Sequence, residues 1–347
     1  MSGTFIHLNV HSDYTVLQGT CRISLADDLR KQPDPPETLP QRAAAMGFPA
    51  VALTDRNALY GALAFYKACR DVGIKPILGC EFLLAPADRR ERRAFATEPE
   101  GFHLTVLAES HAGYLNLVKL VSAAHIEAGR GQPRIDRELL GQFHSGLIVL
   151  SGDFGGEAAF RFGKGDETGA RRSLEALREI VGAGQFYVEL VDHGLDSQKH
   201  LNRFLIDEAR RLGVRTVATN DVHYLRREDA EVQDILVCLG QGAFLADENR
   251  ERYGSDERYL KSAEEMAERF SGLPDALEAT VEIAERCCVE IELGKNRYPA
   301  YPPPPGETRE AMLKRLCAEG LRSRYPTAYE DGHAEERETL EARLNYE

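Results

Sequence analysis

Apolar residues along this chain come in short runs, and ionisable residues follow each run closely. The run at 5–10 ends on His11, Ser12 and Asp13, and 50–53 leads into Thr54, Asp55 and Arg56. The run at 76–80 leads into Glu81, 147–150 into Ser151, Gly152 and Asp153, and 216–219 into Asn220, Asp221, Val222 and His223. Runs of this length predict β-strands, as do 104–108 and 186–191. Between them, apolar positions at helical spacing predict helices over 59–72, 112–128, 166–182, 197–212 and 262–270. Gly73 reads as the stop of the first of these. The alternation of strand and helix predicts an α/β fold with a parallel sheet or barrel, of about seven units. In a barrel of parallel strands the C-terminal strand ends share one mouth, and the ionisable residues above would converge there.

The pattern breaks in two places. The proline-rich stretch 32–40 predicts a surface loop between two short helices. Residues 298–306 carry a run of four prolines between Tyr301 and Gly306, which predicts a stiff linker. The expected organisation is therefore a first domain over 1–293, a linker over 294–307, and a helical segment over 308–347 with a helix at 308–325. The chain ends within a charged helical pattern without a cap, which reads as a piece of something longer.

Composition narrows the function classes. A length of 347 residues, 43% hydrophobic and 29% charged, allows one large α/β domain with a small addition. The formal net charge of −13 argues against a broad basic face for nucleic acid. It leaves room for a local basic groove or a partner that supplies one. The seven cysteines include no Cys-x-x-Cys pair. That argues against a zinc finger or a disulfide framework and for reduced thiols in a cytosolic setting. Neither a signal peptide nor a run of about 20 apolar residues is evident.

The candidate chemistry is metal ligation. Alternate residues of a strand share a face, so His7, Asn9 and His11 point one way, and Asp221 and His223 form a second pair at the same spacing. Glu81 is a carboxylate able to bridge two ions, and His103 and Asp153 complete a shell of oxygen and nitrogen donors suited to Zn²⁺ or Mn²⁺. Any one of these histidines taken alone is more often a hydrogen-bonded structural residue. His193 reads as a turn residue, and His125 and His144 as surface or helix-packing residues. Asp55 reads as a cap for the following helix, and Gly61 and Gly79 as packing or turn positions. Gly152–Gly156 lacks the Lys-Ser/Thr ending of a phosphate loop.

Several long blocks occur in order: FIHLNVHSDYTVLQG, ALTDRNALYGALAFYKACRDVGIKPILGCEF, FHLTVLAES, PRID, LIVLSGD, VATNDVHYL and the tail YPPPPGETREAMLKRLCAEGLRSRYP. In these the chain resembles the N-terminal PHP (polymerase and histidinol phosphatase) domain of the bacterial DNA polymerase III α subunit, a C-family replicative polymerase. The resemblance implies a distorted seven-stranded (βα)7 TIM-like barrel with up to three metals at the strand ends. Metal-binding members usually carry His, His, Asp, His, Glu, His, Cys, Asp and His where this chain has Asn9, His11, Gln18, Arg56, Glu81, His103, Asp153, Asp221 and His223. His11, Glu81, His103, Asp221 and His223 match, and Asp153 replaces a Cys. Asn9, Gln18 and Arg56 are degenerate, and a guanidinium cannot ligate at all.

The family grouping puts Gln18, Arg56 and His223 around one metal, which should therefore be lost. Arg56 is expected to take its place and to pair with Asp221 or Asp55. Glu81, His103 and Asp153 would hold one ion, and His11, Glu81 and Asp221 form a thinner second site. The resemblance thus leaves Zn or Mn at one or two sites, or none, with Mg not held tightly. It implies a structural scaffold for DNA replication with little or no catalysis of its own. The scaffold would brace the rest of the α subunit, dock a proofreading exonuclease, and meet DNA through the full-length polymerase in the cytoplasm. No Asp-x-Asp polymerase pair follows the linker, so this chain lacks the polymerase active site. The rival reading is a metal-dependent 3′→5′ exonuclease or phosphoesterase acting through Glu81, His103 and Asp221. A free-standing histidinol-phosphatase-like enzyme would fit the fold but not the tail.

Overall fold

A computed structural model describes residues 5–91, 99–128, 131–250, 252–295 and 298–347. Within it the chain forms two compact units, Met1–Ile291 and Glu292–Glu347. Asn296 and Arg297, within the expected linker, lie outside the described residues.

The first unit is built on one curled six-stranded sheet. Its strands are β1 (Ala50–Leu53), β2 (Lys75–Leu84), β3 (Phe102–Ala108), β4 (Leu147–Leu150), β5 (Phe186–Val191) and β6 (Arg215–Thr219), hydrogen-bonded in that order. Helix Ala62–Asp71 connects β1 to β2, the pair Glu157–Gly163 and Glu167–Val181 connects β4 to β5, and Asp196–Leu212 connects β5 to β6. These three strand pairs are parallel, as crossovers of this kind require. The expectation of uniformly parallel strands fails at β3, which runs antiparallel to both β2 and β4. The link from β2 to β3 carries no described helix, so the chain turns back beside β2.

The apolar run at 5–10 is not a regular strand. It is nonetheless held by backbone hydrogen bonds on two sides. Ala52 N and Thr54 N donate to His7 O and Val10 O at 2.9 Å each, Val222 N donates to Asn9 O at 3.0 Å, and His11 N donates to Val222 O at 2.8 Å. The run thus sits between β1 and the segment that continues β6. The polar groups clustered at 11–15 and 54–56 account for its irregularity. Val10 N is bonded by the Thr54 hydroxyl at 2.8 Å and Ser12 N by the Asp55 carboxylate at 2.7 Å, so side chains take places a strand ladder would fill.

Burial follows strand periodicity. One face of the sheet packs on the surrounding helices through Leu78, Phe82, Leu104, Val106, Val149, Val188 and Leu190. The other face, with Ile6 and Leu8, forms a separate inner cluster of Ala50, Ala52, Ile77, Leu107, Ile148, Leu150, Tyr187 and Val217. Helix Pro274–Arg286 covers one end of it with Ala279, Ile283 and Ala284. Several helix ends are capped: Ser110 accepts from Gly113 N and Asp136 from Leu139 N, and Gly213 takes a left-handed φ of 65° at the end of Asp196–Leu212.

The second unit contains helices Arg309–Arg324 and Ala334–Tyr346, the first capped by the Thr308 hydroxyl. No helix of the described residues is long and apolar enough to cross a membrane.

Candidate metal centre

Side chains on the inner face change character along each strand. Ile77 is followed two residues at a time by Gly79 and Glu81, Tyr187 by Glu189, and Val217 by Thr219 and Asp221. On β3 the order is reversed, with His103 and Thr105 before Leu107, because that strand runs the other way. The register pairs Glu81 with Thr105 and Leu83 with His103. His103, at the start of its strand, therefore reaches the same end of the interior as residues at or beyond the ends of the others. That is the physical reason the expected convergence on C-terminal strand ends needs correcting for one member of the set.

Two groups of donors result. Glu81, His103 and Asp153 form one, and His11, Asp221 and His223 the other. In the first, His103 Nδ1 lies 2.8 Å from Asp153 Oδ1 and 3.6 Å from Glu81 Oε2. In the second, Asp221 Oδ1 lies 3.2 Å from His11 Nε2 and 2.9 Å from His223 Nε2. The imidazoles of His11 and His223 stack at 4.4 Å between centroids. Glu81 Oε2 is 3.6 Å from both His11 Nε2 and His103 Nδ1, so one carboxylate oxygen stands between the groups.

Arg56 is bound to this carboxylate from its other side. Its Nε and Nη2 donate to Glu81 Oε1 at 2.7 and 2.6 Å, and its Nη1 donates to Gln18 Oε1 at 2.6 Å. The partner of Arg56 is thus Glu81, not Asp221 or Asp55. Asp55 is already engaged elsewhere: it accepts from Ser12 N, Ser12 Oγ and Thr15 Oγ1, each at 2.7 Å. It braces the turn at 12–15 rather than capping the next helix, which begins later, at Ala62. Asp221 has its own arginine, because Arg258 Nη1 pairs with Asp221 Oδ2.

Electrostatics follow from these contacts. Burial alone would raise the Glu81 carboxyl, but Arg56, His103 and His11 hold it well below its ordinary range. Asp153 is likewise lowered against burial, by His103. Burial, and then the neighbouring His11, lowers His223 well below the usual imidazole value, so it is neutral. Arg56 is raised by Glu81 against burial, and burial brings Arg258 down to about 10.

The donors fit divalent ions unequally. Glu81 Oε2 and His11 Nε2 are buried and make no hydrogen bond. Such orphaned atoms are costly unless something binds them. Glu81, His103 and Asp153 are a carboxylate–imidazole–carboxylate set of the kind that holds Zn²⁺ or Mn²⁺. The position expected from Gln18, Arg56 and His223 does not fit an ion, because the guanidinium itself is there. His223 Nδ1 is turned to the Gln18 carbonyl.

The Asn9 side chain is engaged in hydrogen bonds. Its amide donates to Glu189 Oε1 at 3.1 Å and Thr105 Oγ1 at 3.3 Å, and it accepts from Thr54 Oγ1 at 3.1 Å. Glu189 was not expected. It is fully buried, accepts also from Thr219 Oγ1 at 2.7 Å, and is pushed up to about 8 by burial and by Asp153. A lone carboxylate inside the apolar run 186–191 was the signal for it. Arg258 and Tyr253, whose ring lies 4.4 Å under the Arg258 guanidinium, had no signal in the local pattern. His193 is more than a turn residue: it is buried, lowered to about 3 by burial, and its Nε2 is 3.0 Å from Asn220 O. His125 packs as expected, with Nε2 2.7 Å from Asn57 O. A β-carbon at Gly79 would meet Leu107 Cδ2 at 2.6 Å, so that glycine is a close approach.

Residues 7–193 match the PHP domain family. DNA polymerase III subunit alpha of Treponema pallidum (strain Nichols) is 37% identical over 345 residues, 99% of this chain and 28% of that protein. The same subunit of Borreliella burgdorferi is 38% identical over 323 residues, 92% of this chain and 27% of the relative. That of Thermus aquaticus is 38% identical over 332 residues, 93% and 26%. The chain spans little more than a quarter of the length of these curated relatives. The family match covers more than half of the chain and includes His11, Glu81, His103 and Asp153, so the chain belongs to the PHP domain family.

Proposed function

We propose that this chain is the PHP portion of a bacterial DNA polymerase III α subunit and serves DNA replication as a structural scaffold with little or no catalysis of its own. The observation that carries the reading is Arg56, bonded to Glu81 and Gln18 where a third ion would need open ligands. The run at 5–11 supplies the seventh strand position of a distorted barrel. The domain extends over 1–293, the linker over 294–307, and 308–347 is the helical start of the palm region. The partners are the rest of the α subunit, a proofreading exonuclease, and DNA through the complete polymerase, in the cytoplasm.

Metal retention is part of this reading. Glu81, His103 and Asp153 would hold one Zn or Mn ion, and His11, Asp221 and His223 are candidates for a second. Such an ion, when bound, supplies Lewis-acid polarisation of a phosphoryl oxygen. The chain's own residues would do the rest. Glu81 would link the two groups, Arg56 would keep Glu81 ionised, and neutral His223 would leave a lone pair available. The intact Glu81–His103–Asp153 group favours one rival, a Mn²⁺-dependent 3′→5′ exonuclease or phosphoesterase.

The deciding experiment incubates wild type and Glu81→Ala with 3′-labelled single-stranded DNA and with a phosphomonoester, each with Mn²⁺. The scaffold reading expects equal, background-level release from both proteins. Release by wild type that Glu81→Ala abolishes would replace it with the rival.

A further inference from the structure

The backbone around Arg258 is zipped onto the segment that carries Asp221 and His223. His223 N donates to Arg258 O at 2.9 Å, Arg258 N donates to the Tyr224 hydroxyl at 3.2 Å, and Leu260 N donates to Tyr224 O at 3.1 Å. The Arg258 side chain is therefore delivered beside Asp221 by the fold and lies over the Tyr253 ring. It is only 15% exposed. Asp221 takes a positive φ of 43°, which aspartate tolerates better than most residues. One of its oxygens faces the two histidines and the other faces Arg258. The His11 ring is fully buried, and its Nε2 makes no hydrogen bond while facing Asp221 Oδ1. Here, then, is a three-donor cation site whose carboxylate is already neutralised from behind.

We propose that Arg258 is a built-in counter-ion that competes with a divalent cation for Asp221. A dication on His11, Asp221 and His223 and a guanidinium on the same carboxylate would repel at close range in a buried setting. The two states are thus alternatives: the arginine on Asp221 with the site closed to metal, or the arginine displaced with the site open. Arg56 also pairs with a carboxylate of the pocket, Glu81, but Arg56 occupies the place of a ligand in the sequence motif. Arg258 lies outside every expected ligand position and acts through Asp221 alone. This inference rests on the reading of the pocket as a degenerate metal site.

The test is Zn²⁺ binding by protein first stripped with chelator. Bound metal per chain is read by elemental analysis, and affinity by competition with a chromophoric chelator. The proteins are wild type, Arg258→Met, Arg258→Gln, Arg258→Lys, and Arg258→Met combined with Asp221→Asn. Arg258→Met should bind one Zn²⁺ more than wild type, or bind it at least tenfold more tightly. Arg258→Lys should not, and the added Asp221→Asn should remove the gain. Arg258→Gln keeps a donor for Asp221 without the charge, and it carries the test if the Met variant does not fold. Equal stoichiometry and affinity, within twofold, for wild type and the folded uncharged variant would overturn the proposal. The nuclease comparison with Glu81→Ala judges the scaffold reading separately, since Arg258 is untouched there.

Discussion

The two ends of the sheet's interior are made by the same strands and obey different physics. At one end, Ile77, Leu107, Ile148, Leu150, Tyr187 and Val217 meet helix Pro274–Arg286 in an apolar cluster. At the other, two to four residues along the same faces, Glu81, Glu189, Thr219 and Asp221 are buried just as completely, and His103 is part-buried. The apolar end is stabilised by removing area from water, which needs only size and shape. The polar end gains nothing from burial itself and holds only because each charge has a partner. Arg56 serves Glu81, Arg258 serves Asp221, and His103 serves Asp153. The first end is therefore tolerant in chemistry and strict in volume, and the second is the reverse.

Truncation at the apolar end should have the largest effect. Leu107 is fully buried, and Leu107→Ala should lower stability by roughly 3 kcal/mol, the usual cost of a cavity in a packed core. Urea denaturation measures it, and a loss under 1 kcal/mol would mean the inner cluster is not well packed. At the polar end, removing one member of a buried pair costs roughly 3–5 kcal/mol. The Arg56 side chain is 19% exposed, which reduces the expectation for Arg56→Met to roughly 2 kcal/mol. An unchanged Tm in metal-free buffer would show that Glu81 does not depend on the guanidinium.

The smallest effect is the most diagnostic. The Glu189 carboxyl sits at about 8 in the folded chain against an ordinary 4.5. The folded state thus holds a proton that the unfolded chain has released. The contribution is fully present below the ordinary value and is lost as pH rises towards 8. Between pH 6 and 7, wild type should lose about 1 kcal/mol more than Glu189→Gln does, since one unit of linkage is worth about that much. Parallel stability–pH curves for the two proteins would mean that Glu189 is ionised in place and that the polar end is wetter than its geometry indicates.

Much of this was legible along the chain because strands and helices declare themselves locally. The runs at 50–53, 147–150 and 186–191 became β1, β4 and β5, and the helical spacing over 197–212 became Asp196–Leu212. His11, Glu81, His103, Asp221 and His223 were expected in one pocket from motif order, and Asp153 from its place after a strand, and the fold gathers them into two adjacent groups. Glu189 was visible as a carboxylate in an apolar run, but nothing local said that it faces inward rather than outward.

What the sequence determined by itself is the set of elements and the identity of the donors, because periodicity and residue type are properties of neighbours along the chain. Which arginine meets which carboxylate was decided only by tertiary structure. Arg56 reaches Glu81, 25 residues away, and Arg258 reaches Asp221 only because the backbone at 258–260 pairs with 223–224. The reversal of β3 belongs to the same class. It brings His103 to the mouth from the wrong end of its strand, since the direction of a strand is set by its pairing and not by its composition.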